Sequence, residues 1–152
     1  MSFRLETNVE QVVTVLISQL DALRDSDKLL REAALNATAL ITNRVQNRGE
    51  LAAGGKIGGG RYSAGYARTR RKEGRQTGFI DLTMTGQMLD NFTVAGDGKS
   101  GYVVGFATDR EGQKADWQEA YFGKIFILSP TESKEVLGII RKRLDALFSG
   151  GT

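Results

Sequence analysis

The residues best suited to chemistry lie in one segment, residues 52–78, which reads AAGGKIGGGRYSAGYARTRRKEGRQTG. Seven of its residues are basic, against the single acid Glu73: Lys56, Arg61, Arg68, Arg70, Arg71, Lys72 and Arg75. Arginines placed beside Tyr62 and Tyr66 are suited to neutralising phosphates and stacking on bases, or to pairing with acidic protein surfaces. The segment therefore predicts a local anionic partner.

The glycines of this segment do not form a nucleotide-binding loop. Such a loop has the pattern G-x-x-x-x-G-K-S/T between a strand and a helix, with a hydroxyl for Mg²⁺. Here Gly54-Gly55-Lys56 is followed by Ile57, and no apolar strand precedes it. The remaining interpretations of the segment are a nucleic-acid arm, a solvated flexible loop and an assembly arm that orders against a partner.

Catalytic chemistry has few candidates elsewhere in the chain. Cysteine and histidine are both absent, which excludes thiolate metal sites and removes the commonest general base and metal ligand. The carboxylates of Asp81, Asp90, Asp109, Asp116 and Glu119 show no paired spacing that is typical of acid–base catalysis. We therefore predict that the protein is not an enzyme and has no catalytic residue, metal or cofactor.

An aromatic cluster, Trp117, Tyr121, Phe122 and Phe126, has two interpretations. It belongs to the core, or Trp117 and Tyr121 anchor a subunit interface, where such residues often dominate the binding energy. The candidate interface residues are Arg61, Tyr62, Tyr66, Arg68, Arg70, Arg71, Lys72, Arg75, Trp117, Glu119 and Tyr121.

A head-to-tail contact between subunits joins two unlike faces. We expect the basic segment to form one face and the acidic residues around Trp117 to form the other: Asp109, Glu111, Asp116 and Glu119. Reversing the charge of Arg70 and Arg71 is then expected to leave the subunit folded and to block assembly.

The length of 152 residues and the hydrophobic content of 40% predict a single domain with a real core, residues 1–152. No apolar run reaches the length of a membrane span, and the first ten residues lack the order of a secretory signal. Outside residues 52–78 the chain has 14 basic and 17 acidic residues, so a segment of net charge +6 faces a body of −3.

The first part of this domain, residues 1–50, is predicted to be helical. Thr7 and Glu10 fit a capping box, and apolar residues follow at helical spacing: Val9, Val12, Val13, Leu16, Ile17 and Leu20. Asp25-Ser26-Asp27 offers a second N-cap. The pattern indicates two helices, about 8–23 and 27–47, or one long helix with a kink, ending by Gly49.

Residues 51–78 are predicted to be a flexible basic loop, and residues 79–149 a β-rich part with a C-terminal helix. The predicted strands are Phe79–Leu82, Phe92–Val94, Tyr102–Phe106 and Lys124–Leu128. A helical turn is expected within Thr85–Asn91, a polar loop over 107–116, a short helix at Ala115–Phe122 and a capped helix after Ser129. The class is α+β, with a small antiparallel sheet and the C-terminal helix packed on it.

Four segments in the second half carry a resemblance to a known family. They are YARTRRKEGRQTGFIDLTMTGQMLDNFTV at 66–94, GYVVGFATD at 101–109, ADWQEAYFG at 115–123 and IFILSPTESKEVLGIIRKRLDAL at 125–147. In this order they resemble the tailed-bacteriophage virion morphogenesis and tail completion family. The matching residues are Leu82, Thr85, Gly86, Met88, Val103, Val104, Gly105, Glu119, Tyr121, Gly123, Phe126, Leu128 and Ser129.

The resemblance implies a structural protein of the phage head–tail junction, made in the host cytoplasm and resident in the virion. Members form rings that join or finish the tail, so the implied partners are further copies of the chain and neighbouring connector, neck or tail proteins. DNA passing through the lumen is a further, non-specific partner, and no membrane is implied. The alternative function is a nucleic-acid-binding accessory protein that uses the basic segment.

Overall fold

The computed structural model describes residues 26–99 and 101–149 and has the predicted α+β class. Its helices are α1 (Ser26–Asn43), α2 (Ala64–Lys72), α3 (Gln87–Asp90), α4 (Asp109–Phe122) and α5 (Pro130–Ser149). A π-helical turn, Arg44–Arg48, extends α1, and a 3₁₀ turn covers Ile57–Gly60. Strands β1 (Phe92–Gly96) and β2 (Tyr102–Phe106) form an antiparallel hairpin with Phe92 opposite Phe106. The predicted helix over 8–23 lies outside the described residues.

Helix α1 is the centre of the core because its apolar residues recur at helical spacing. The buried ones on α1 and its π-helical turn are Leu29, Leu30, Ala33, Ala34, Ala37, Ile41 and Val45. This face contacts both strands of the hairpin and also α5. The C-terminal helix was expected to pack on the sheet. It packs chiefly on α1, and its Val136 and Ile140 are buried.

The end of the helical stretch after α1 and the start of α5 both follow local sequence signals. The helical stretch that starts with α1 reaches its end at Gly49. The φ of this residue, 59°, is a left-handed conformation that glycine adopts without a Cβ penalty. At α5 the Ser129 backbone N–H donates to Glu132 Oε2 at 2.7 Å, and the Glu132 N–H donates to Ser129 Oγ at 3.2 Å. The predicted capping box at Ser129 is confirmed.

The predicted strand at Lys124–Leu128 is wrong, because side chains satisfy its backbone groups in place of a neighbouring strand. The N–H groups of Ile125 and Phe126 donate to Glu119 Oε1 at 2.9 and 2.8 Å. The carbonyls of Ile125 and Ile127 accept from the buried Arg44 guanidinium at 2.8 and 2.6 Å. Arg44 also pairs with Glu132 at 2.9 Å, which ties this segment to the start of α5.

The predicted strand at Phe79–Leu82 is also absent from the described residues, for the same reason. The Gln76 side-chain amide donates to the Phe79 carbonyl at 2.9 Å. The Asp81 N–H donates to the Tyr62 hydroxyl at 3.1 Å. Extended segments of this kind have the composition of strands, but their hydrogen-bond partners are polar side chains.

The polar loop expected over 107–116 is mostly helix, because α4 begins at Asp109. Thr108 caps it by accepting a hydrogen bond from the Glu111 N–H at 3.4 Å, and Asp109 and Glu111 favour the positive N-terminal end of the helix. Glu111 and Ala115 are buried on its inner face. The short helix predicted at Ala115–Phe122 is the second half of α4. No helix within 26–99 and 101–149 is long and apolar enough to cross a membrane.

Candidate functional site

The basic segment contains a regular helix, α2, which the sequence analysis treated as part of a loop. Ser63 caps α2 by accepting from the Tyr66 N–H at 3.4 Å, and Gly74 follows its C-terminus with φ 67°. Alanine, arginine and lysine are strong helix formers, so α2 forms without a broad apolar face. The flexibility of the rest of the segment stays a prediction.

Arg70 anchors α2 to the body of the protein and is only 1% exposed. Its guanidinium donates to the carbonyls of Gln76 and Thr83 at 2.9 and 2.7 Å and to both carboxylate oxygens of Asp81 at 3.0 and 3.1 Å. The guanidinium carbon also lies 4.4 Å from the centre of the Tyr62 ring. A planar donor with five N–H groups is suited to such a junction, whereas lysine is not.

Asp81 completes this junction and was missed as a structural residue by the sequence analysis. Besides Arg70, its carboxylate accepts from the Tyr62 hydroxyl at 2.8 Å, the Gln76 amide at 2.7 Å and the Thr83 N–H at 2.9 Å. The bond to Thr83 is the Asx turn that an Asp-x-Thr sequence can form, and this is the one local signal for it.

Two properties follow from the Asp81 junction. Burial raises the pKa of the Tyr62 hydroxyl to about 12, and the hydrogen bond that this hydroxyl donates to the Asp81 carboxylate acts in the same direction. The Asx turn holds Leu82 at φ 54°, a left-handed conformation that costs a non-glycine residue about 1 kcal/mol or more. The strained residue faces the candidate site described next.

An open groove of about 880 Å³ lies between the basic segment and α4. Its apolar and aromatic lining comprises Leu51, Tyr62, Tyr66, Ile80, Leu82, Met84, Met88, Trp117, Tyr121 and Phe122. Gly58 lies at its base with φ 55°, where a Cβ would come within 2.8 Å of the Phe122 ring. The groove therefore needs glycine at this position.

Six of the predicted interface residues meet in this groove: Arg61, Tyr62, Tyr66, Arg70, Trp117 and Tyr121. Trp117 is 68% exposed and Tyr121 82%, whereas Phe126 is buried in the core. The core interpretation is therefore right for Phe126 and wrong for Trp117 and Tyr121. Trp117 and Tyr121, which were expected on a face separate from the basic segment, line the same groove as that segment, whereas none of the acidic residues expected beside them lines it.

The other predicted residues have different surroundings. Glu119 is engaged within the subunit by the backbone of residues 125–126 and by Lys124 at 3.0 Å. Arg68, Arg71, Lys72 and Arg75 are exposed outside the groove. None of these four forms an ion pair with any residue in the described ranges.

The charge of the groove is of one sign. Its charged lining residues are Lys56, Arg61, Arg70 and Lys114, and no acidic residue lines it. Lys56 pairs with Glu50 at 3.2 Å, Arg70 with Asp81 at 3.0 Å and Lys114 with Glu111 at 2.8 Å, and none of these three acids lines the groove. Arg61 has no acidic partner among the described residues. The groove is an apolar, aromatic surface with a basic rim.

No group of three or more acidic side chains that could hold a metal ion occurs within the described ranges. Comparison of the chain with protein-family models, with curated proteins and with solved structures finds no match. The groove is a concave surface with exposed aromatic side chains, a shape and composition that suit the binding of a partner.

Proposed function

We propose that the chain is a structural protein of the head–tail junction of a tailed bacteriophage, which acts as a ring that joins or finishes the tail. The ordered resemblance of residues 60–148 to the virion morphogenesis and tail completion family supports this identity. The groove supports assembly as the mode of action, because a ring subunit binds its neighbours through noncovalent contacts. In this proposal the protein resides in the virion and contacts connector, neck or tail proteins.

One observation carries the proposal: Trp117 and Tyr121 are exposed in the free subunit beside Tyr66, in a groove with a basic rim. Exposed tryptophan and tyrosine at the centre of a concave surface are typical of interface hot spots. The free energy of burying them is available only when a partner covers the groove.

The test is the substitution Trp117→Ala in the full chain. Because Trp117 is exposed, we expect unfolding free energy to change by no more than about 0.5 kcal/mol. Loss of a hot spot weakens subunit association by about 2 kcal/mol, or about 30-fold. Light scattering on a sizing column, electron microscopy of particles and complementation of tail joining measure the effect.

Lys134→Ala, on the exposed surface of α5, is the matched control and should assemble as the parent chain does. Rings that form equally well with Trp117→Ala would contradict the proposal. A Trp117→Ala chain that unfolds would show that Trp117 belongs to the folded core.

A second candidate function, a nucleic-acid-binding accessory protein, rests on the exposed row Arg68, Arg71, Lys72 and Arg75. If this row follows a DNA backbone, the logarithm of the binding constant should fall with the logarithm of salt concentration with a slope of about −0.9 per phosphate neutralised. We expect weak, non-specific binding. Tight, sequence-selective binding at physiological salt would favour this second function over the first.

A further inference from the structure

The start of α1 and the groove lie near opposite ends of the helical stretch formed by α1 and its π-helical turn. At one end, Asp27 accepts a hydrogen bond from the Tyr102 hydroxyl at 2.6 Å, beside the turn of the β-hairpin. At the other end, Gly49 abuts Phe79 and Ile80, and Ile80 lines the groove. Helix α1 has 18 residues, which at 1.5 Å per residue make it about 27 Å long, and the π-helical turn adds five residues before Gly49.

The residues that precede α1 carry an apolar stripe in need of a partner. The sequence predicts a helix over 8–23 with Val9, Val13, Leu16 and Leu20 on one side. A helix of 16 residues is marginally stable alone in water and gains its stability by burying such a stripe. Its only charged residues are Glu10 and Asp21, so the segment is acidic.

The groove and this segment are complementary in charge and in shape. No acidic residue lines the groove, and its exposed Arg61 has no acidic partner among the described residues, while the segment has acids with no base. Aromatic walls with Met84 and Met88 suit an amphipathic helix that inserts anchors at positions i, i+4, i+7 and i+11. The spacing of Val9, Val13, Leu16 and Leu20 meets this pattern.

We propose that the groove of each subunit receives residues 8–23 of a neighbouring copy of the same chain. The inference rests on the proposed function and names the contact that would close the ring. A helix over 8–23 is about 24 Å long and ends two residues before α1. Folded back within its own subunit, it would lay the stripe along α1 and bring only residues 1–7 to the groove.

A contact from the α1 end of one subunit to the groove of the next joins unlike surfaces, as a head-to-tail ring requires. Trp117 and Tyr121 were expected on a face separate from the basic segment, but both line the same groove, so the ring needs another second face. Residues 8–23 supply that second face.

The test uses the absence of cysteine from the chain, because each introduced thiol is then unique. Gln19→Cys lies beside the stripe, three residues after Leu16, and Gln118→Cys lies in the groove between the two aromatic anchors. The two full-length variants carry tags of different size and are mixed before oxidation. Each chain holds one thiol, so a disulfide that joins positions 19 and 118 (the Gln19–Gln118 product) forms only between two copies of the chain.

We expect the Gln19–Gln118 product to form about 100-fold faster than the product of Gln19→Cys with Lys134→Cys, because docking raises the effective concentration of the thiols to the millimolar range. Adding Leu16→Asp to the Gln19→Cys chain should abolish this preference, since it places a charge in the stripe. Circular dichroism of each variant checks that the subunit remains folded.

Three results would overturn the inference. They are equal rates with the Gln118→Cys and Lys134→Cys partners, a preference that survives Leu16→Asp, and closure within a single chain when one diluted chain carries both thiols. Rings that form and depend on Trp117 without Gln19–Gln118 cross-linking would reject the inference and leave the proposed function standing. Cross-linking without rings or tail joining would reject the proposed function instead.

Discussion

At the scale of single residues, neighbouring arginines of one basic run have opposite roles. Arg70 is buried against Asp81, whereas the Arg71 side chain is exposed and donates to the Ala67 carbonyl at 3.3 Å. The expectation that reversing both charges leaves the subunit folded is therefore wrong for Arg70, because a glutamate there would face Asp81 across a buried site. Of these two arginines, only Arg71 is suitable for a charge reversal that tests an interface.

The first prediction at this scale is that Asp81→Ala destabilises the subunit by about 3–5 kcal/mol, because it leaves the Arg70 guanidinium buried without its partner. Urea denaturation should show a lower midpoint with little change in slope. Asp116→Ala, which removes an exposed carboxylate on α4, should shift stability by no more than about 0.5 kcal/mol. Equal effects of the two changes would show that the Asp81 junction does not hold the fold.

The second prediction concerns pH and follows from the pKa of Tyr62, which is raised from 10.0 to about 12 in the folded subunit. The protonated phenol is the form that the fold favours, so its contribution to stability is complete below pH 10 and is lost as pH rises from 10 towards 12. Tyr62→Phe should be less stable at neutral pH and should lose less stability over that range. Urea midpoints of both proteins across this range measure the difference, and parallel curves would contradict it.

At the scale of elements, glycines at two helix positions have opposite consequences. Gly49 ends the helical stretch after α1 at positive φ, and a Cβ there would come within 2.6 Å of the Phe79 ring and 2.7 Å of the Ile80 carbonyl. Gly65 lies in the first turn of α2, and a Cβ there would meet no atom within 4 Å. The first glycine is required by tertiary packing, and the second only lowers helix propensity.

We therefore predict that Gly49→Ala destabilises the subunit by more than about 1–2 kcal/mol. That figure is the penalty for a left-handed non-glycine residue alone, and the clash with residues 79–80 adds to it. Gly65→Ala should stabilise it by about 0.5–1 kcal/mol, because it restricts the unfolded chain and favours α2. Thermal unfolding of the two variants and of the parent chain measures whether each substitution lowers or raises the stability of the subunit. A stabilising Gly49→Ala would mean that the turn after α1 is not packed against Phe79.

At the scale of the whole molecule, the groove depends on two segments that are distant in sequence. Arg70 and Asp81 hold the wall formed by the basic segment, and Arg44 and Glu119 hold the connection that follows α4. The walls are therefore preorganised, which lowers the entropic cost of binding a partner. The exposed basic residues outside the groove do not share this support.

Limited trypsin digestion should reveal which part of the basic segment a partner covers. Arg61 is exposed in extended backbone and lines the groove, whereas Arg75 is exposed outside it. We expect cleavage after both residues in the free subunit and selective protection of Arg61 in assembled rings, with Arg75 as the internal control. Equal protection of both sites would mean that the whole segment is covered, and no protection that the groove stays open.

The sequence alone determined the features that depend on residues close together in the chain. The stripe and end of α1, the strands that begin at Phe92 and Tyr102 and the capping box at Ser129 were all predicted correctly, because periodicity and capping act over a few residues. The α+β class followed from these elements. The ring, the virion location and the family resemblance stay predictions.

Only the tertiary structure decided how distant polar groups pair. Segments 79–82 and 124–128 have the composition of strands, yet their backbone groups bind Gln76, Tyr62, Glu119 and Arg44, and Arg44 lies 81 residues before Ile125. Composition measures how well a residue suits an extended backbone, but it carries no information on which partner satisfies that backbone. Folding also buries Arg70 and places Trp117 in one groove with the basic segment, so the groove exists only in the folded chain.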